Sequence, residues 1–246
     1  MQFRCGDDSN FCLEISKNIV NAKIRNQKVM LARYNRTEDI DEVDSIVERL
    51  EKGSNVVYRA NSLNELIGYE GHASKLYFEG LSHIIKGEYS FKGRSKQPPR
   101  DRFNSLLSFG YTLLMYDVYS AINISGLNPY AAFLHQDRER HPTLASDLME
   151  EWRSVIVDSI VINVIKRNML DFNEFTSNED GGIYIGSNNI KTFIKEYESK
   201  IESKSKYLQQ VDYELSYRKS FVEQSKLLSR ALEKKDPSIY KPVIIR

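Results

Sequence analysis

The 246-residue chain is long enough for one large domain or two small ones, and for a core that needs no covalent staples. Hydrophobic residues make up 41% and charged residues 28%, an ordinary globular balance. The formal net charge of +1 gives no global pull onto a polyanion, so any nucleic-acid binding has to come from local patches. The two cysteines, Cys5 and Cys12, form no CxxC pair and read as thiols rather than half of a metal site; their spacing alone leaves a bridge open. No apolar run approaches the roughly 20 residues of a membrane span and no signal peptide opens the chain, which points to a cytoplasmic protein without a membrane partner.

In chain order, Phe11, Ile15, Ile19, Ala22 and Val29 recur at helical spacing and predict one amphipathic helix over 10–34, with Lys17, Lys23, Arg25 and Lys28 on its other face. A second helix follows, with Asp39 and Glu42 as a capping-box-like start, Ile40, Val43, Val47 and Leu50 as its stripe, and Gly53 as its end. A third is expected over about 73–85. The stretch SFKGRSKQPPRDR cannot be helical throughout and carries Lys92, Arg94, Lys96, Arg100 and Arg102. A long helix should run from about Asp101 to Ile124, stopped by Ser125-Gly126.

Pro142 suits the first turn of the next helix, in which Leu144, Leu148, Trp152 and Val155 form a one-sided stripe. From Val155 to Ile165 almost no polar face remains, so this element is expected to be the central buried helix. Beyond Gly181-Gly182 the run IYI predicts a short strand or hairpin near 183–185, and helices over about 188–206 and 213–234 finish the chain before Pro237 and Pro242. The Lys/Glu-rich stretch from Lys191 to Lys206 reads as a solvated face. The fold class is mainly α, with an N-terminal helical segment, 1–60, continuous with the main domain, 61–246.

The chemistry-bearing residues are individually weak signals. Glu70 lies between Gly68 and Gly71, just ahead of a helix-forming stretch, a setting that suits a carboxylate meeting a ligand close to the backbone. Asp147, Glu150 and Glu151 share roughly one side of a helix at the boundary of its apolar stripe, where clustered carboxylates need an arginine or a divalent cation. Any one such carboxylate is more often solvated or paired with Lys or Arg, and His135 alone is more often an ordinary capping histidine. His135 and His141 are not at helical i, i+4 spacing and have no cysteine nearby, which argues against structural zinc. There is no GxSxG elbow, P-loop or GxGxxG fingerprint.

Taken together, GYEGHASKLYF, FKGRSKQPPRDRFNSLLSFGYTLLMYDV and GLNPYAAFLHQDRERHPTLASDLMEEWR resemble, in this order, the CRISPR-associated integrase/endonuclease family, the spacer-acquisition subunit called Cas one. The likeness extends from about Val20 to the closing YKPVIIR, and departs from the family at Ala132, where a glycine usually precedes F-L-H. The resemblance implies a helical domain that inserts captured double-stranded DNA into a CRISPR repeat, with possible endonuclease activity. It implies Glu70, His135 and Glu150 as ligands of Mn²⁺ or Mg²⁺, with Asp147 as a further acidic position beside them. It also implies a homodimer and a small partner subunit, Cas two. Phosphate contacts are expected from Arg94, Lys96, Arg100 and Arg102 in the basic loop and from Arg138 and Arg140 beside His135. Family members carry an N-terminal β-domain, and this chain begins about where that domain should be ending, as a minimal form or as part of a longer or fused protein. The alternative is a non-catalytic DNA-binding or assembly module; the intact set Glu70, His135 and Glu150 favours the enzyme, since a scaffold has no need of it.

Overall fold

The computed structural model describes residues 1–135 and 141–245. Its spine is a 30-residue helix, α2 (Ser9–Glu38), which follows a single-turn helix, α1 (Gln2–Gly6). Asp8 caps α2 by accepting the amides of Asn10 and Phe11 at 3.0 Å each, which satisfies donors that would otherwise lack a partner. Of the predicted stripe, Phe11, Ile15, Ile19 and Ala22 are buried and Val29 is half-buried. The opposite face is not the solvated surface expected from its lysines: Lys17 and Lys23 are buried together with Asn21, Asn26 and Gln27, and of the four cations only Arg25 is exposed. α2 is wrapped, because α3 (Asp41–Val56) and α4 (Leu63–Ile84) cover one side and the helical segment after residue 142 covers another.

Two helix boundaries move for identifiable reasons. Asp39 does not cap α3; it is the C-terminal cap of α2, in the left-handed region at φ 52°, and Asn35 staples the corner instead. The Asn35 amide donates to Ile40 O at 3.0 Å and Asp44 Oδ1 at 2.8 Å, while its Oδ1 accepts Ile40 N–H at 3.0 Å. Gly53 lies inside α3, which continues to Val56. α4 starts ten residues earlier than expected, at Leu63, because Ser62 and Glu65 form a capping arrangement. Ser62 Oγ accepts Glu65 N–H at 3.2 Å and Glu65 Oε2 accepts Asn61 N–H at 2.8 Å. Gly68 and Gly71 therefore lie inside the helix rather than just ahead of it, and a Cβ at either would meet only open space.

The long helix after the basic loop, α5 (Arg102–Ile124), is as predicted, capped by Asp101 and closed by Gly126 in a left-handed conformation. The expected central buried helix is interrupted. α6 (Thr143–Met149) tightens into i→i+3 bonds at Glu150 and Trp152, widens into a π-helical turn over 154–158, and resumes as α7 (Ser159–Lys166). A hairpin of β1 (Phe175–Ser177) and β2 (Ile183–Ile185) pairs Thr176 with Tyr184 and hangs on the basic loop through Ile183 N–H to Pro99 O at 2.8 Å. The last two helices are α8 (Ser187–Glu202) and α9 (Tyr217–Lys234). Between them lies an unforeseen two-residue ladder of β3 (Lys204–Ser205) with β4 (Leu215–Ser216). Both cysteines are buried and reduced, and burial, with Asp8 nearby, pushes the Cys12 thiol up to about 11. Among the described residues no helix is long and apolar enough to cross a membrane.

Trp152 anchors the interrupted segment. It is 1% exposed and meets Phe221 and Tyr217 of α9 edge-on, at ring-centroid distances of 5.1 and 5.9 Å. Trp152→Ala should cost on the order of 3–5 kcal/mol in equilibrium urea unfolding. Gly110 gives a second test: a Cβ there would stand 2.5 Å from Val157 Cγ1, so Gly110→Ala should destabilise by about 1–3 kcal/mol despite its better helix propensity. A loss near zero at either position would contradict this packing of α5, α9 and the π-helical turn.

Candidate active site

Asp147 and Glu150 come from the polar end of α6, and Glu70 from the middle of α4. Asp147 is fully buried and accepts four hydrogen bonds. Its Oδ2 takes the amides of Phe133 and Leu134 at 2.8 and 2.9 Å; its Oδ1 takes the His135 amide at 3.0 Å and contacts His135 Nδ1 at 2.8 Å. The carboxylate thus folds the 133–135 loop around itself and orients the imidazole, directing the other ring nitrogen, Nε2, away from it. Burial disfavours the charged ring, but the Asp147 hydrogen bond and charge outweigh it, and the His135 pKa is raised.

Glu150 is buried at the end of α6, where the helix dipole gives a carboxylate no help. Two cations compensate. Arg153 Nη1 lies 3.2 Å from Oε1, with its guanidinium over the Tyr111 ring, 4.8 Å from the centroid, and Lys23 Nζ lies 2.7 Å from Oε2. Beyond Lys23, Oε2 has no hydrogen-bond donor among the described residues. Burial would push the Glu150 carboxyl up; Arg153 and Lys23 more than offset it and hold it at about 2.

The same Lys23 ammonium bonds Glu70 Oε1, which also accepts Ser74 Oγ–H at 2.8 Å. Burial favours the neutral amine, but Glu150 and Glu70 together keep Lys23 protonated and raise its pKa. Glu70 and Glu150 therefore meet around one ammonium, and His135 is close enough to Glu150 for each to shift the other's titration. Among the described residues no group of three or more His, Cys, Asp or Glu side chains is arranged to hold a metal ion. The donor chemistry nonetheless fits a divalent cation: two carboxylates, an oriented imidazole, and a buried carboxylate oxygen already facing positive charge.

Glu151 does not belong to this cluster. It points the other way, fully buried, accepting the Tyr240 hydroxyl, Val243 N–H at 2.8 Å and Gln224 Nε2–H at 3.2 Å, so it clamps the C-terminal tail. Asn26 completes the clamp, donating to Glu151 O and Val243 O and accepting Ile245 N–H at 2.9 Å. Asp158, in the π-helical turn, accepts the hydroxyls of Tyr77 at 2.7 Å and Tyr111 at 2.5 Å.

Of the basic-loop residues, Arg94 is committed internally, to Asn104 Oδ1 at 2.8 Å and Ser108 Oγ at 3.0 Å. Arg102 stacks 3.5 Å over Phe172. Lys96 and Arg100 are exposed; Lys96 lies within electrostatic range of Arg153 and Glu150, while Arg100 also donates to Asp180 O at 3.2 Å. Arg138 and Arg140 lie outside the described residues. Lys23 and Arg153 were missed by sequence reasoning; the available signal for Lys23 was its place in a run of uncharged amides, Asn21, Asn26 and Gln27, unlike a solvated face.

The family model described as CRISPR associated protein Cas1 matches residues 1–199. The CRISPR-associated endonuclease Cas1 of Mycobacterium tuberculosis is 36% identical over 233 residues, covering 94% of this chain and 68% of that protein. A solved casposase bound to integration product matches with a TM-score of 0.85 and 25% identity, over 100% of this chain and 68% of that one. A Cas6-RT-Cas1–Cas2 complex matches with a TM-score of 0.86 and 23% identity, over 98% of this chain but 26% of that chain. The architecture is thus that of a mainly helical domain, shared in fold with the casposase and the Cas6-RT-Cas1–Cas2 complex. The chain belongs to the CRISPR-associated Cas1 family.

Burial pushes the Glu151 carboxyl up to about 8, against the hydrogen bonds from Tyr240, Val243 and Gln224 that favour its charged form. The folded chain holds a proton there that the unfolded chain releases near the ordinary value of 4.5. This contribution to stability is complete below about 4.5 and is lost as pH rises through about 8. Glu151→Gln stays neutral and can still accept from Val243, so its thermal midpoint should fall less than wild type's across that window. An unchanged pH slope would assign the decline to other groups.

Proposed function

We propose that the chain is a metal-dependent DNA integrase of CRISPR spacer acquisition, joining a DNA 3′-hydroxyl to a phosphodiester of the repeat. The observation that carries this reading is the meeting of Glu70 and Glu150 around one buried cation, beside an imidazole that Asp147 orients. Glu70, Glu150 and His135 Nε2 would hold Mn²⁺ or Mg²⁺, which when bound stabilises the extra negative charge of the phosphoryl transition state. Asp147 fixes the imidazole tautomer by accepting from Nδ1–H, so that Nε2 presents a lone pair. Arg153 keeps Glu150 ionised. Exposed Lys96 and Arg100 would contact phosphates without reading sequence, as would Arg138 and Arg140; Arg94 and Arg102 would shape the loop that presents them.

In the reaction the 3′-hydroxyl gives up its proton as its oxygen bonds to phosphorus, the repeat's own P–O3′ bond breaks, and the departing 3′-oxygen takes up a proton. One ester replaces another, so no nucleotide is consumed. With water attacking, the same steps are hydrolysis, in keeping with the endonuclease name of the Mycobacterium relative. Captured double-stranded DNA, a second copy of the chain and a small Cas2 subunit are the proposed partners; for DNA and Cas2, support comes from the names of the casposase bound to integration product and the Cas6-RT-Cas1–Cas2 complex. The second reading, a non-catalytic DNA-binding or assembly module, draws on one observation: Lys23 and Arg153 already balance the two carboxylates without any ion.

Strand transfer and duplex binding separate the two readings. Glu150→Gln, which keeps the side-chain volume, should abolish Mn²⁺-dependent transfer at saturating DNA while leaving duplex affinity within about threefold. Lys96→Ala with Arg100→Ala should weaken binding at every sequence and lower the slope of log affinity against log salt by about two. Transfer by Glu150→Gln at the wild-type rate overturns the assignment in favour of the scaffold.

A further inference from the structure

The site contains two cations of different character. Arg153 is planar, stacked on Tyr111 and tied to Glu150 Oε1. Lys23 is a compact charge on a flexible four-carbon stem, and its ammonium bridges Glu70 Oε1 and Glu150 Oε2. Lysine is almost never this buried unless paired, and here it is 4% exposed with a carboxylate on either side. The four groups carry two negative and two positive charges. A divalent ion added without rearrangement would leave a surplus of two positive charges among largely buried side chains, which like-charge repulsion opposes. Arg153 is pinned by the ring beneath it; Lys23 has the rotatable stem that can withdraw.

We propose that Lys23 is a displaceable internal counter-ion: its ammonium stands in for the divalent cation between Glu70 and Glu150, competes with that cation, and withdraws when it binds. The proposal rests on the metal-dependent reading above. In the ion-free protein Lys23 prevents Glu70 and Glu150 from repelling each other, so the site stays assembled before any ion arrives. Once withdrawn, the ammonium is free to meet a phosphate oxygen of the incoming DNA, which supplies negative charge to the pocket. Ion binding and DNA binding therefore favour one another through a single side chain.

The test is calorimetric titration of Mn²⁺ into wild type, Lys23→Met and Glu150→Gln, with thermal melts of each protein with and without the ion. Lys23→Met should bind Mn²⁺ about tenfold or more tightly than wild type, while its ion-free melting point falls and its Mn²⁺-induced rise exceeds wild type's. Equal or weaker Mn²⁺ binding by Lys23→Met overturns the competition. If Lys23→Met does not fold, the wild-type protein provides the answer through labelling with an amine-acylating reagent read by mass spectrometry. Lys23 should be protected relative to exposed Lys86 without Mn²⁺ and should gain labelling when Mn²⁺ saturates the site. Unchanged or reduced labelling overturns the proposal. Equal Mn²⁺ binding by wild type and Glu150→Gln defeats the metal reading itself; loss of binding in Glu150→Gln alongside an unaltered Lys23→Met defeats only the role of Lys23.

Discussion

The constraint that organises this chain is the burial of carboxylates. Asp147, Glu150, Glu151 and Asp158 are all withdrawn from water within one short segment, and an unpartnered ionised carboxylate there would be prohibitively costly. Each is resolved differently, and each solution recruits another part of the chain. Asp147 gathers the 133–135 loop through backbone amides, Glu150 draws in α2 and Arg153, Glu151 ties down the C-terminal tail, and Asp158 collects two tyrosine hydroxyls. The polar interactions that shape the candidate site and those that assemble the domain are neighbours along the same stretch of backbone.

The position of α4 shows how closely the two are joined. Glu70 and Tyr77 are seven residues apart, two turns along one face of that helix. Glu70 meets the Lys23 ammonium and Tyr77 meets Asp158, so the helix is held at two points by polar contacts to the interrupted segment and its counter-ion. The route continues through Tyr111, whose hydroxyl bonds Asp158 and whose ring carries Arg153. Glu70 and Glu150 are thereby linked by a second path that does not pass through Lys23.

Helical periodicity made most of this architecture legible. The stripe of α2, the extent of α5, the hairpin at 183–185 and the burial of Trp152 follow from residue spacing and turn chemistry. Periodicity was weaker where a helix is covered on more than one side: the lysines of α2 alternate with apolar residues as solvated ones do, and only tertiary packing makes Lys17 and Lys23 interior. It was also blind to capping exchanges, such as Asn35 displacing Asp39, and to the capping pair Ser62 and Glu65, whose register starts α4 before Gly68 and Gly71. For the candidate site, the family resemblance pointed to Glu70, His135, Asp147 and Glu150, while residue spacing alone placed the acids at 147–151 on one side of a regular helix. The change of helical pitch sends Glu151 elsewhere, and pitch is not encoded by residue type in any pattern that a 3.6-residue period detects.

That change of pitch makes residue count itself a geometric parameter. In a regular helix each residue turns the chain by about 100°, whereas the widened turn at 154–158 absorbs an additional residue without lengthening the core in proportion. Because the wide turn takes up that residue locally, the chain on either side keeps its phase: Glu150 faces Lys23 before the turn while Asp158 reaches Tyr77 and Tyr111 within it. The same number of residues wound as a regular helix would rotate one half against the other by about 100°, and Glu150 and Asp158 could not both keep their partners. The length of the turn, as much as its side chains, therefore sets the site.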